Sequence, residues 1–382
     1  MLLNATSTEP FEKYLGLPPI IGRGKKQAFA EIKLCIQSKL SGWKTKLLYP
    51  AGREVLIKSV AQAIPIYAMN CFLLLAGLCD EINSMIGQFW WGQKNEEKKM
   101  HWLSWKHMCL AKRDRGLDFC DLKSFNITLL AKQGWRLLHC QDSLLFKVYK
   151  AKYFQHISFL EASVLNHSSF AWRSITRGRD LIIQGSRWRV GNGSLINIWI
   201  DRWLPSETNQ KVSSPITILP AEATVADLMD FSAPQLRWKD CLIDSIFFPF
   251  EASIIKTIPL SIRRPEDTLI WSKNISGRFS IRSAYFLQLK VEKQSNGSLA
   301  TTLDSTKIHS FWKGIWSYLI PPKIKSFIWR ACNDSLPTRT KRFDRKISNS
   351  FSCALRNDEV ETNSHLFWEC SFAQSVWMRT HF

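Results

Sequence analysis

Between Cys353 and Cys370 the sequence runs Cys353-Ala-Leu-Arg356, then an acidic polar loop, then His365-Leu-Phe-Trp-Glu-Cys370. This is the spacing of a small zinc knuckle: a Cys-x2-Cys pair on a tight turn, followed by a His and a Cys from the next short element. Such a knuckle ties two loops to one point, so it restricts the local fold more than an apolar period does. Here Arg356 stands where the second thiolate belongs. A guanidinium stays protonated and has no lone pair to offer a metal. Cys353, His365 and Cys370 therefore form a three-ligand set, complete only if Asp358, Glu359, Glu361 or a cysteine from elsewhere adds a donor. The alternative is that these side chains pack under a short helix without metal.

At 382 residues the chain exceeds one ordinary domain, and two or three are expected. A hydrophobic content of 45%, with 17 Trp and 23 Phe, excludes a disordered chain. The formal net charge of +20 calls for a polyanionic partner, RNA or DNA, held mainly through phosphates and without sequence preference. A basic surface with no dedicated site is the competing explanation. Ten cysteines at irregular spacing, with no secretory leader ahead of them, point to free thiols in a reducing compartment. That places the chain inside the cell, nuclear or cytoplasmic, with an organelle-encoded copy left open. The strongest apolar run, Phe72 to Leu78, is too short to span a bilayer, so no membrane partner is expected. No feature points to a small-molecule substrate.

Helical periods dominate the pattern. They occur at Leu56, Val60, Ala63, Ile64 and Tyr67, and again at Ile82, Met85, Ile86, Phe89 and Trp90. Two more follow at Ile308, Phe311, Trp312, Ile315 and Leu319, and at Ile324, Phe327, Ile328 and Ala331. Asp121 to Tyr153 is helical with an expected interruption at Gly134, and Ser169 to Gln184 and Trp238 to Leu260 are helical too. At Arg187 the period changes. Trp188-Arg189-Val190-Gly191-Asn192-Gly193 with Ile196 to Trp199 predicts a hairpin about the Gly-Asn-Gly turn. A second hairpin is predicted for Leu269 to Trp271 with Gly277 to Ile281, and the polar run from Val291 to Thr306 reads as a linker. The fold class is mainly α with short β-hairpins (α+β): a helical region followed by a small helical, zinc-knuckle-like domain.

The candidate phosphate contacts are Arg23, Lys25 and Lys26 in one glycine loop, Arg53 and Lys58 off the apolar stripe of their helix, and Lys323, Lys325 and Arg330. Lys323, Ser326 and Arg330 share the face opposite Ile324, Phe327 and Ile328, although a solvated face explains such charges as well. The Trp cluster beside Lys98, Lys99 and Lys106 is either a base-stacking platform or core, and the helical spacing favours core.

Several strings resemble the region after the polymerase palm in plant non-LTR (LINE-type) retrotransposon reverse transcriptases. They include Tyr14-Leu15-Gly16-Leu17-Pro18, Leu40-Ser41-Gly42-Trp43, Phe89-Trp90-Trp91-Gly92 and the Trp188 to Gly193 run. Phe311-Trp312, Pro322 to Ala331, Leu336-Pro337-Thr338 and Cys353 through Trp377 resemble that family's zinc-binding domain. The resemblance implies a thumb-like helical segment at 1–70, a helical linker region ending in a hairpin at 71–205 and an α+β connector at 206–290. A polar linker at 291–306 and the zinc-binding domain at 307–382 complete it. It also implies zinc ligation by Cys353, His365 and Cys370, with the family's fourth cysteine replaced by Arg356.

Reverse transcriptases place an adjacent Asp pair on a palm hairpin, because two-metal catalysis needs clustered carboxylates. No Asp-Asp dipeptide occurs here, nor a Walker A, Gly-x-Ser-x-Gly or His-Glu-x-x-His string. A ribonuclease H domain after the zinc segment would need its own carboxylate cluster beyond Cys370. The expected function is a non-catalytic, nucleic-acid-binding fragment of a LINE-type reverse transcriptase, with a degenerate zinc-binding domain. The alternative is the product of a decayed element, with no binding activity or only a protein-scaffolding role.

Overall fold

The computed structural model describes residues 24–44, 48–92, 99–206, 209–232, 236–295, 305–355 and 359–380. Arg23, the Tyr14 to Pro18 string, Lys98, Arg356, Asp358 and residues 296–304 of the expected linker lie outside the described residues. Helices dominate, and the strands form two antiparallel pairs, as the mainly α reading requires. Among the described residues, no helix is long and apolar enough to cross a membrane. The chain divides into two units. Residues 24–68, 74–123 and 305–380 form one, and residues 69–73 and 124–295 the other.

In the first unit the helix Ala76–Trp90 buries Ile82, Ile86, Phe89 and Trp90 of the predicted face, with Met85 half-buried and Leu78 added to it. The helix Ala30–Lys44 packs against it, with the Trp43 and Phe89 ring centroids 5.8 Å apart. Phe119 stacks on Trp105 at 5.3 Å and meets Trp90 edge-on at 5.4 Å, so Trp90 is core and Trp105 is half-buried against it. The stripe expected at Leu56 to Tyr67 is shifted. After the helix Pro50–Leu56 the chain takes a π turn at Ile57–Ala61, and the extra residue advances the buried face. Ile57, Ala61 and Ala68 are buried as a result, while Tyr67 is 44% exposed.

The helices Ser305–Ser317 and Pro322–Cys332 belong to this same unit. Trp312 and Ile315 are buried as expected, but Phe311 and Leu319 face solvent. On the second helix the packed side is Ser326 and Trp329, whereas Ile324 and Phe327 are exposed, the reverse of the expected stripe. The reason is tertiary. Trp329 Nε1 donates to the Arg115 carbonyl at 2.8 Å, and Asn333 Nδ2 donates to the same oxygen at 3.3 Å. His107 Nε2 lies 3.0 Å from Asn333 Oδ1, and Lys112 Nζ sits 4.2 Å above the Trp316 ring. A polar, loop-facing surface therefore claims the side of the helix that sequence alone assigned to solvent.

In the second unit the helix Leu122–His139 runs unbroken through Gly134. A methyl there would lie 2.8 Å from both Ile182 and Phe159, so the glycine permits close packing rather than ending the helix. Trp172 is fully buried and stacks on Tyr153 at 4.5 Å. Four short strands occur: β1 (Ser186–Arg189), β2 (Met229–Asp230), β3 (Arg237–Trp238) and β4 (Thr268–Trp271). β2 and β3 form a short hairpin, but β1 pairs with β4, Ser186 opposite Trp271 and Arg189 opposite Thr268. The hairpins expected at 188–199 and 269–281 do not form. Instead the Gly191 to Leu195 loop wraps the buried Asp267 carboxylate. Its Oδ1 accepts from Gly191 N at 2.7 Å and Gly193 N at 2.9 Å, and its Oδ2 accepts from Leu195 N at 2.9 Å. Gly193 has φ +75°, which a side chain would strain. The glycines serve this anion-holding loop, and Asp267 immediately precedes β4.

Candidate metal centre and basic sites

Cys353, His365 and Cys370 are all buried, and one ligand atom from each lies within 4.8 Å of the others. Local hydrogen bonds build the arrangement. Cys353 N donates to the Glu359 carbonyl at 2.8 Å, and Ser352 bridges Val360, which folds Cys353 back toward the next segment. Leu355 N points at Cys353 Sγ, 3.5 Å away. Thr362 Oγ1 accepts from His365 N at 3.0 Å and starts the π turn His365–Glu369. In that turn Cys370 N donates to the His365 carbonyl at 2.9 Å, an i to i+5 bond that brings both residues to one side.

The histidine's two nitrogens are in different settings. Nδ1 lies 3.2 Å from Glu359 Oε2, while Nε2 is buried with no hydrogen-bond partner among the described residues. A neutral imidazole donating through Nδ1 keeps its lone pair on Nε2, the arrangement of a metal-ligating histidine held by a carboxylate. Tetrahedral ligation at about 2.0–2.3 Å would set donors roughly 3.3–3.8 Å apart, so closure from this geometry is small. The donor set fits zinc. Of the other expected donors, Glu361 is committed elsewhere, accepting from Arg339 N at 2.9 Å. Glu359 acts through the histidine, a part that sequence reasoning missed; its only signal was an acid close ahead of His365. Among the described residues this is the one such cluster of three His, Cys, Asp or Glu donors. Burial pushes the thiols of Cys79 up to about 12 and Cys120 up to about 11, which keeps both protonated.

The expected phosphate contacts are dispersed. Lys58 Nζ pairs with Glu54 at 2.6 Å, and Lys325 Nζ donates to the Trp316 carbonyl at 2.9 Å. Lys25 and Lys26 lie on the short helix Lys25–Ala28, and Lys323 is exposed on the first turn of its helix. Arg53 and Arg330, far apart in sequence, line one cavity. Burial lowers the pKa of both guanidiniums, without changing their charge near neutrality.

Buried thiol and imidazole donors on a turn-and-helix scaffold define a knuckle of the zinc type, and residues 279–377 match the family described as zinc-binding in reverse transcriptase. An uncharacterized mitochondrial protein of Arabidopsis thaliana is 42% identical over 147 residues, 38% of this chain and 96% of that protein. The chain belongs to the reverse-transcriptase-related proteins of plant retrotransposons. An Arabidopsis thaliana protein named "Putative ribonuclease H protein" is 30% identical over 369 residues, 95% of this chain. The chain spans 57% of that relative's length.

Proposed function

We propose that this chain is a non-catalytic, nucleic-acid-binding part of a LINE-type reverse-transcriptase system, in which residues 307–382 act as the zinc-binding domain. The observation that carries this reading is the buried Cys353, His365 and Cys370 cluster, with the lone pair of His365 Nε2 unclaimed, in a chain of net charge +20. Cys353 Sγ, Cys370 Sγ and His365 Nε2 would hold the ion, and Glu359 would fix the imidazole. Bound zinc would supply a cross-link between the two knuckle segments, and a fourth position would go to water or another donor. The basic helices would hold RNA or DNA phosphates without reading bases, while a separate polymerase domain would supply the carboxylates for polymerisation.

A filter-binding series with a single-stranded RNA tests the reading. Neutralising about six phosphates predicts a log K against log salt slope near −4, at about 0.7 per contact. Absence of binding at low salt overturns it, as does primer extension by the pure chain with magnesium or manganese. A protein-scaffold reading has one supporting observation: an apolar groove of about 550 Å³ between Phe327, Phe367, Trp368 and Trp377. Under it, binding to RNA would be absent.

A further inference from the structure

The fold gathers three cations at a place that sequence spacing does not mark. A cavity of about 270 Å³ is lined by Arg53, Lys99 and Arg330 together with Trp91 and Trp102, and no carboxylate lines it among the described residues. Among the described residues no carboxylate pairs with Arg53, Lys99 or Arg330. Arg53 Nη1 donates to the Trp90 carbonyl at 3.1 Å and Arg330 Nη2 to the Ser335 carbonyl at 3.1 Å, both neutral acceptors. Arg330 Nε and Trp91 Nε1 are buried and have no hydrogen-bond partner among the described residues. Three cationic side chains on one cavity, with no carboxylate among its described lining, suit an anion with several acceptor oxygens.

The aromatic lining divides in two. Trp91 is occupied, with the Arg330 guanidinium 5.8 Å from its centroid and His101 stacked at 6.2 Å. Trp102 lines the same cavity, is half-buried, and makes no ring or cation contact among the described residues. A flat apolar face next to a phosphate-binding fork suits one nucleotide. The volume lies below the roughly 300–1,000 Å³ of ordinary ligand pockets, so it admits one such unit rather than a larger cofactor.

We propose that Arg53, Lys99 and Arg330 bind a phosphate group at this cavity, with the attached base stacked on Trp102. The expected source is a phosphodiester of single-stranded nucleic acid, and to that extent the inference rests on the proposed function; a free nucleotide offers the same chemistry. The test uses the full chain with a labelled oligouridylate, followed by anisotropy, and with uridine monophosphate, followed by calorimetry. Lys99→Gln and Arg53→Lys should each weaken strand binding several-fold, and Lys99→Gln should reduce the salt slope by about 0.7. Trp102→Ala should weaken binding about tenfold. Lys99 is exposed, so its substitution does not threaten folding. Lys39→Gln, an exposed lysine that does not line the cavity, is the control and should stay within about twofold. If the strand binds and all cavity variants match Lys39→Gln, the cavity assignment is overturned and the nucleic-acid reading stands. If only the monophosphate binds, and Lys99→Gln abolishes it, the site stands with a free nucleotide and the nucleic-acid reading falls. If neither ligand binds, both are overturned.

Discussion

Replacing Trp329 tests which side of the helix Pro322–Cys332 holds the first unit together. The indole is 0% exposed, and its Nε1 donates to the Arg115 carbonyl at 2.8 Å. Truncation to alanine removes a fully buried aromatic side chain, which costs about 3–5 kcal/mol. Trp329→Phe should cost less. It loses one hydrogen bond, about 1 kcal/mol, plus the difference in ring size. The Arg115 carbonyl is not orphaned in either variant, because Asn333 Nδ2 still donates to it at 3.3 Å. Phe327→Ala is the counterpart. That side chain is 48% exposed, and its main aromatic contact is an edge-on pairing with Phe367 at 5.9 Å. Its loss should cost about 1 kcal/mol or less. Urea unfolding of the full chain, read by hydrogen exchange in peptides from residues 105–119 and 322–333, gives both the size of the loss and its place. Trp329→Ala should deprotect both segments together. A larger loss from Phe327→Ala than from Trp329→Ala would mean the helix packs by its sequence-predicted stripe, and the argument from the Arg115 contact would fail.

Other parts of the fold give four further outcomes. Glu359→Ala should weaken zinc binding about 10–100-fold, while Arg356→Cys, which supplies a fourth thiolate, should strengthen it and raise the melting temperature; chelator competition with a chromophoric zinc probe measures both. A parent chain that holds zinc as tightly as Arg356→Cys would show that another donor completes the site. Asp267→Ala should cost about 3 kcal/mol or more, because three backbone N–H groups lose their acceptor, and exchange protection at Gly191 to Leu195 should vanish; protection retained there would refute the carboxylate's role. Alkaline pH should destabilise the first unit, since burial raises Cys79 to about 12 and Cys120 to about 11, against an ordinary value of 9.0. The stability these neutral thiols contribute is whole below pH 9, where thiols in the unfolded chain are still protonated, and is lost as pH rises toward 11–12. A urea midpoint that stays constant across that range would contradict the burial of these thiols.

Local chemistry made some of this protein readable in advance. The Cys353, His365 and Cys370 set lies within eighteen consecutive positions, and short-range turns bring such residues together whatever the rest of the chain does. The helix Ala76–Trp90 was legible for a similar reason: its buried face is a regular period along one element, and regular periods survive in sequence. What sequence could not decide was any contact whose partner lies far along the chain. Gly191-Asn192-Gly193 carries the composition of a hairpin turn, yet it encloses a carboxylate supplied by Asp267, and β1 finds its partner in β4. Trp329 lay outside a convincing apolar stripe, because nothing local shows that Arg115 offers its carbonyl to the other face of that helix. Glu359 read as a spare metal donor until the fold set its carboxylate against His365 Nδ1. Arg53 and Arg330 each read as a separate candidate phosphate contact that a solvated face explained as well, and only the tertiary structure sets them on one cavity. Periodicity records how an element meets the core, but it carries no address for the residue on the other side of the contact.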